Sequence, residues 1–197
     1  MMDMGMTDHL VSLDHISLIA LAFVVVVGLP HGAFDGAIAQ HLGYSRTWRA
    51  MCRFILVYLG LAGAVVAFWI WQPGLALALF LLISAVHFGY GDATATGGLA
   101  RAVQIAAHGG IAVFGISLFH LQQVTPLYAA LTHGDVMLAV MLTEFFPLLI
   151  MPVAALYLIA AVRDEALRPR LVELALLCLL FSVIPPLVGF ALYFCVI

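Results

Sequence analysis

Apolar residues run along this chain in long blocks, broken by short polar stretches at intervals of about a helix length. Five blocks approach the ~20 apolar residues that a helix needs to cross a ~30 Å hydrocarbon core. They are Ile16 to Phe34, Phe54 to Trp71, Gly74 to Phe88, Ala102 to Gln122 and Val136 to Ala161. Only Gln72-Pro73-Gly74 separates the second from the third, which predicts an antiparallel helix hairpin. Pro147 and Pro152 predict a kink in the fifth. The tail carries a short apolar block, Leu171 to Ile184, then Pro185-Pro186, then an apolar run to Ile197. We read it as a sixth helix, a turn at the prolines, and a seventh helix that ends without polar or aromatic anchors. Ala93 to Leu99 reads as a flexible loop, and Gln123 to Asp135 as a loop on the opposite face.

Composition agrees with the pattern. The 197 residues are 65% hydrophobic and 9% charged, with a mean hydropathy of +1.19. Soluble domains carry about 25% charged residues, and a soluble fold of this composition would have an oily exterior. The expected fold class is therefore all-α: a polytopic membrane helix bundle with about six to seven transmembrane helices, forming one domain over residues 1–197. The net charge of -3 gives no reason to invoke nucleic acid. Cys52, Cys178 and Cys195 are far apart and read as small apolar residues. The N-terminus lacks the basic region of a signal peptide, so the first apolar run is expected to be a retained helix.

Charge sets the expected orientation. All seven basic residues are arginines, and they fall only after the first, third and fifth apolar blocks. The alternate loops carry none. The positive-inside rule places the arginine loops in the cytoplasm and the N-terminus outside.

Eight histidines are many for so apolar a chain. His9, His15, His41, His120 and His133 sit near the expected interfaces, where solvation accounts for them. His31, His87 and His108 are expected at similar depth on the cytoplasmic side, His108 roughly 9 Å into its helix. Ionisable groups at membrane depth usually face the bundle interior or a cavity, so these three point to a metal site. Asp35 and Asp92 follow His31 and His87 and are candidates to orient the ring nitrogens. Imidazole suits zinc, copper, iron and nickel alike, so the spacing names no metal. The chain has no lysine, which excludes a Schiff-base retinal protein. Glu173 is expected to pair with Arg170 at the interface, and Glu144 has no assigned role.

The motifs GLPHGAFD (28–35), VHFGYGD (86–92) and IPPLVGFALYFCVI (184–197) resemble, in this order, those of the Brp/Blh family of bacterial and archaeal membrane β-carotene 15,15'-dioxygenases. The resemblance covers nearly the whole chain. It implies Fe(2+) held by four histidines, and cleavage of β-carotene by dioxygen at its central double bond to give two retinals. It also implies a bacterial or archaeal inner-membrane location, with the lipid bilayer delivering the substrate. His31 and His87 match two of the family's ligands by position, and these two are the expected catalytic residues. His108 matches none and is retained as a candidate third metal residue on its depth alone. The family's other two ligands lie in a WHS-x-RH segment that this sequence does not reach, so the chain is expected to be C-terminally incomplete. A turn at Pro185-Pro186 would send the last helix back toward His31 and His87. Phe34, Phe88, Tyr90, Phe114, Tyr193 and Phe194 are candidates to line the path of a rod-like carotene. Two other readings stand beside this one: a non-catalytic membrane protein that binds carotenoid, and an electron-transfer subunit with bis-histidine haem b.

Overall fold

The computed structural model describes residues 14–44 and 47–196, with side chains throughout these except at 28–35 and 196. Among them there are helices and turns and no strand. In chain order they are α1 (His15–His41), α2 (Trp48–Trp71), α3 (Pro73–Asp92), α4 (Gly98–Phe119), α5 (Leu121–Thr132), α6 (Met137–Arg163), α7 (Arg168–Val183) and α8 (Pro186–Val196). The helices α2, α3, α4 and α6 are each long and apolar enough to cross a membrane. The fold is an all-α membrane bundle, as the apolar blocks predict.

Local chemistry sets most boundaries. Asp14 caps α1 by accepting the Ser17 N–H at 2.6 Å, and Thr47 caps α2 by accepting that of Ala50 at 3.2 Å. Gln72 alone separates α2 from α3, and Pro73 occupies the first turn of α3, where its missing N–H costs nothing. The α6 helix continues through both of its prolines. Two expectations are corrected. The first helix does not stop at Phe34 but runs to His41, so His31 lies in its interior. The presumed loop Gln123 to Asp135 is mostly the short helix α5, which turns Val124, Tyr128 and Thr132 inward.

The centre of the bundle is the α3–α4 pair. A Cβ on Gly89 would collide with the carbonyl oxygen of Ile105, and one on Gly109 with that of Ala85. Glycine at both positions lets the two backbones meet, as small residues do in membrane helix pairs. Against this pair, α6 packs along α4 and α3, α2 lies on α3, and α1 pairs with α8. The α2 helix has no buried residue and presents its surface outward. Within α4, Ile111–Gly115 form one wide π-type turn, where Phe114 stacks on Phe146 of α6 at 5.6 Å.

Contacts between helix ends fix the topology. At one end, Tyr193 of α8 donates to Asp92 of α3, Gln104 of α4 reaches Thr94, and Arg168 donates to the Ala161 carbonyl. At the other end, the Trp69 indole donates to the Leu131 carbonyl at 2.9 Å, and His120 bonds the Phe181 carbonyl at 2.7 Å. Successive long helices therefore alternate in direction. Arg49, Arg53, Arg101, Arg163, Arg168 and Arg170 belong to the first end; Arg46 lies outside the described residues. The last helix does turn back at Pro185-Pro186, because Tyr193 reaches the arginine-bearing end.

Candidate functional site

The longest run of polar side chains inside the bundle lies toward the arginine-bearing end, and it begins with a residue that depth arguments overlooked. Gln104 is wholly buried. Its Oε1 accepts the backbone N–H groups of Thr94 and Ala95, at 3.1 and 2.7 Å. Two donors on that oxygen fix the orientation of the amide. Its Nε2 must then donate, and it does so to Thr94 Oγ1 at 3.3 Å and to Tyr157 Oη at 3.0 Å. The 93–97 segment, expected to be flexible, is thereby tied to the core.

The same bookkeeping extends outward. Tyr157, also wholly buried, receives the Gln104 proton and has one O–H to give. We assign that O–H to Nε2 of His108, 3.3 Å away, since Gln104 already donates to the Tyr157 oxygen. With Nε2 accepting, neutral His108 carries its proton on Nδ1. Nδ1 faces the Asp92 carboxylate at 3.8 Å, beyond hydrogen-bond reach. Asp92 in turn accepts the Tyr193 O–H at 2.8 Å. Four helices, α3, α4, α6 and α8, thus meet along one polar chain of Gln104, Tyr157, His108, Asp92 and Tyr193, interrupted by the 3.8 Å gap between His108 and Asp92.

Two of the expected metal residues have described side chains, His108 and His87. His108 is only 2% exposed and sits about 15 Å into α4, which starts at Gly98 rather than Ala102. His87 lies on α3 five residues before Asp92 and is exposed, with its ring edge-on to Phe88 at 5.6 Å. The side chains of His31 and Asp35 lie outside the described residues. Among the described residues, no three histidine, cysteine, aspartate or glutamate side chains come close enough together to hold a metal ion.

Beside His87 the aromatic side chains form a cluster in which Tyr193 is buried. Phe88 meets Tyr193 at 5.3 Å and Phe194 at 6.1 Å, both edge-on, and Phe190 stacks on Phe194 at 5.6 Å. Of the other expected path residues, Tyr90 carries the Arg101 guanidinium over its ring at 5.7 Å, Phe114 is buried against α6, and the Phe34 side chain lies outside the described residues. Arg170 and Glu173 form the expected ion pair at 2.6 Å.

A family model for β-carotene 15,15'-dioxygenase matches residues 22–197, which takes in α2 to α8 and most of α1. The chain belongs to the β-carotene 15,15'-dioxygenase family. One curated relative, a β-carotene 15,15'-dioxygenase from Uncultured marine bacterium 66A03, is 35% identical over 179 residues, covering 90% of this chain. The chain spans 65% of that relative's own length. No solved structure matches it. Membership in the β-carotene dioxygenase family thus rests on an alignment that includes GLPHGAFD, VHFGYGD and the 184–197 segment together.

Sequence reasoning passed over Gln104 and Tyr157. The signal was present for Gln104: an amide inside an apolar span is costly unless every polar atom is met. Tyr157 carried no comparable signal, since tyrosine is common in apolar helices. Tyr193 was read only as an aromatic surface, yet its hydroxyl is what joins α8 to α3.

Proposed function

We propose that this chain cleaves β-carotene oxidatively at its central double bond, giving two retinals. Family membership over residues 22–197 carries the reading. The reaction balances simply: the central C=C breaks, and each of its carbons takes one atom of a single dioxygen molecule. The metal is proposed to be Fe(2+), with His31 and His87 as two of its ligands and Asp35 and Asp92 following them on the same two helices. When bound, iron would supply the activation of dioxygen, and imidazole is a suitable ligand for it.

What the chain's own residues contribute is a site open to the bilayer. His87 is an exposed imidazole on an otherwise apolar span, a costly arrangement that marks function rather than packing. Phe88 and Phe194 beside it, both half-buried and edge-on to each other at 6.1 Å, offer an aromatic surface to a flat, apolar polyene. The substrate would arrive sideways from the lipid. We further propose a single helical domain in the inner membrane of a bacterium or archaeon, with the arginine-bearing end in the cytoplasm and the N-terminus outside.

The test is expression in carotene-producing cells, with retinal extracted and measured by chromatography. Retinal is expected from the unaltered chain. His87→Ala is expected to lower its yield by at least the roughly 10–100-fold that follows loss of an outer partner of a metal ligand. Membrane-inserted protein that yields no retinal with iron and oxygen supplied refutes the proposal, as does a His87→Ala variant with full yield.

A further inference from the structure

A groove of about 640 Å³ runs along α7 and ends on the polar chain described above. Its size falls in the usual range of small-molecule sites, about 300–1,000 Å³. Most of the wall contributed by α7 follows one helical stripe, Glu173, Leu176, Leu177, Leu180 and Val183, with Leu179 beside it and Ile184 just past the helix end. From Glu173 to Ile184 the wall is about 16 Å long. Only its arginine-bearing end is polar, where Asp92, His108, Arg170 and Glu173 line it. The rest is aliphatic.

Two features of the polar end specify the head group of a ligand. His108 is 2% exposed, yet it lines the groove. The proton on its Nδ1 has Asp92 at 3.8 Å, too far for a bond. An acceptor atom placed in the groove would complete it. Charge supplies the second restriction. Arg170 is already paired with Glu173 at 2.6 Å, so the groove presents one cation against the two carboxylates of Glu173 and Asp92. An anionic head, whether carboxylate or phosphate, would be repelled and would leave its own charge unpaired.

From these observations we infer that the groove holds a neutral, single-chain apolar molecule with a terminal oxygen acceptor, and that its occupant is the retinal formed by the proposed reaction. The choice of this aldehyde among such molecules rests on that reading. The aldehyde oxygen accepts from His108 Nδ1, and the polyene lies along Leu176, Leu180 and Val183. The groove opens laterally, since Leu176 is 60% and Val183 is 73% exposed. A product held there can leave into the bilayer without crossing the bundle. In this assignment His108 positions product and is not a metal ligand.

The purified full chain in lipid nanodiscs, supplied with all-trans-retinal and separately with all-trans-retinoic acid, tests this without any cleavage step. Retinal is expected to bind saturably, and retinoic acid at least about tenfold more weakly because of the like charge. Leu176→Trp and Val183→Trp fill the groove from exposed positions that the core does not need. Each is expected to weaken retinal binding at least about fivefold by clash. Val172→Trp, on α7 but outside the groove, is expected to leave binding unchanged. No saturable retinal binding, equal binding of the acid, or undiminished binding by both tryptophan variants overturns the inference. If instead both variants shed co-purified phospholipid and keep retinal, the groove is a lipid site and the inference is equally overturned. A chain that binds retinal in this pattern but makes none from carotene keeps the groove and loses the proposed function. A chain that makes retinal without this binding pattern does the reverse.

Discussion

Replacing Gln104 by leucine tests how the arginine-bearing end is held together. Leucine is close to glutamine in size, so the change removes polar contacts and leaves packing nearly intact. Four hydrogen bonds disappear: two accepted from the Thr94 and Ala95 N–H groups, and two donated to Thr94 Oγ1 and Tyr157 Oη. Polar contacts between helices in membrane proteins average about 0.6 kcal/mol, which gives about 2.4 kcal/mol for four. Some of this returns, because the loop amides at 94 and 95 are only partly buried and can take up water. Tyr157 keeps its bond to His108. We therefore expect Gln104→Leu to destabilise the protein by about 2 kcal/mol, near the middle of the range for a point mutation. Denaturant unfolding in bicelles measures it. Hydrogen exchange locates it: amides 93–97 are expected to lose protection while the α3–α4 crossing keeps its own. Gln104→Glu separates the two roles of the side chain. The carboxylate still accepts the two loop N–H groups but donates nothing, so loop protection should persist while stability falls. A Gln104→Leu protein within about 0.5 kcal/mol of the original, with an unchanged loop, would show that the amide organises nothing.

Two further perturbations probe other parts of the fold. Gly109→Ala drives a Cβ into the Ala85 carbonyl and to within 2.9 Å of the Gly89 nitrogen, backbone atoms that cannot rotate away; it should cost about 1–3 kcal/mol, whereas Gly91→Ala, with open space around it, should be neutral or gain up to about 1 kcal/mol in helix propensity. Equal melting temperatures for these two variants would refute the close crossing of α3 and α4. The Ser17 N–H bond to Asp14 holds that carboxyl below its ordinary value, so the cap is fully effective above the ordinary carboxylate range and is lost as pH falls through the lowered folded value. Hydrogen exchange at the first turn of α1 should accelerate on that acidification, and Asp14→Ala should abolish the pH dependence; an Asp14→Ala protein with the same acid profile would assign the effect elsewhere.

What could be read from sequence, and what could not, divides along one physical line. Hydropathy and arginine placement report position along the membrane normal. They delivered the long helices, the hairpin at Gln72, the turn at Pro185-Pro186 and the gathering of arginines at one end. They say nothing of helical phase, meaning which way a side chain faces at a given depth, and the site depends on phase. His87 is two residues from Gly89, about 200° around the helix. Gly89 is where α3 touches α4, so His87 looks away from the helix that carries His108. Depth alone does not show this; exposed His87 and buried His108 differ in phase. The same arithmetic applies to Asp92, five residues and about 140° from His87, whose partners in the structure are His108 and Tyr193, reached across helices. The sequence did contain the missing phase information, in the glycines. Gly89 and Gly109 sit where the backbones of α3 and α4 meet, and Gly110 against Phe146. Read as the seam between two helices, they turn His108, one residue before the seam on α4, toward the interior, and leave His87 on the exposed side of α3.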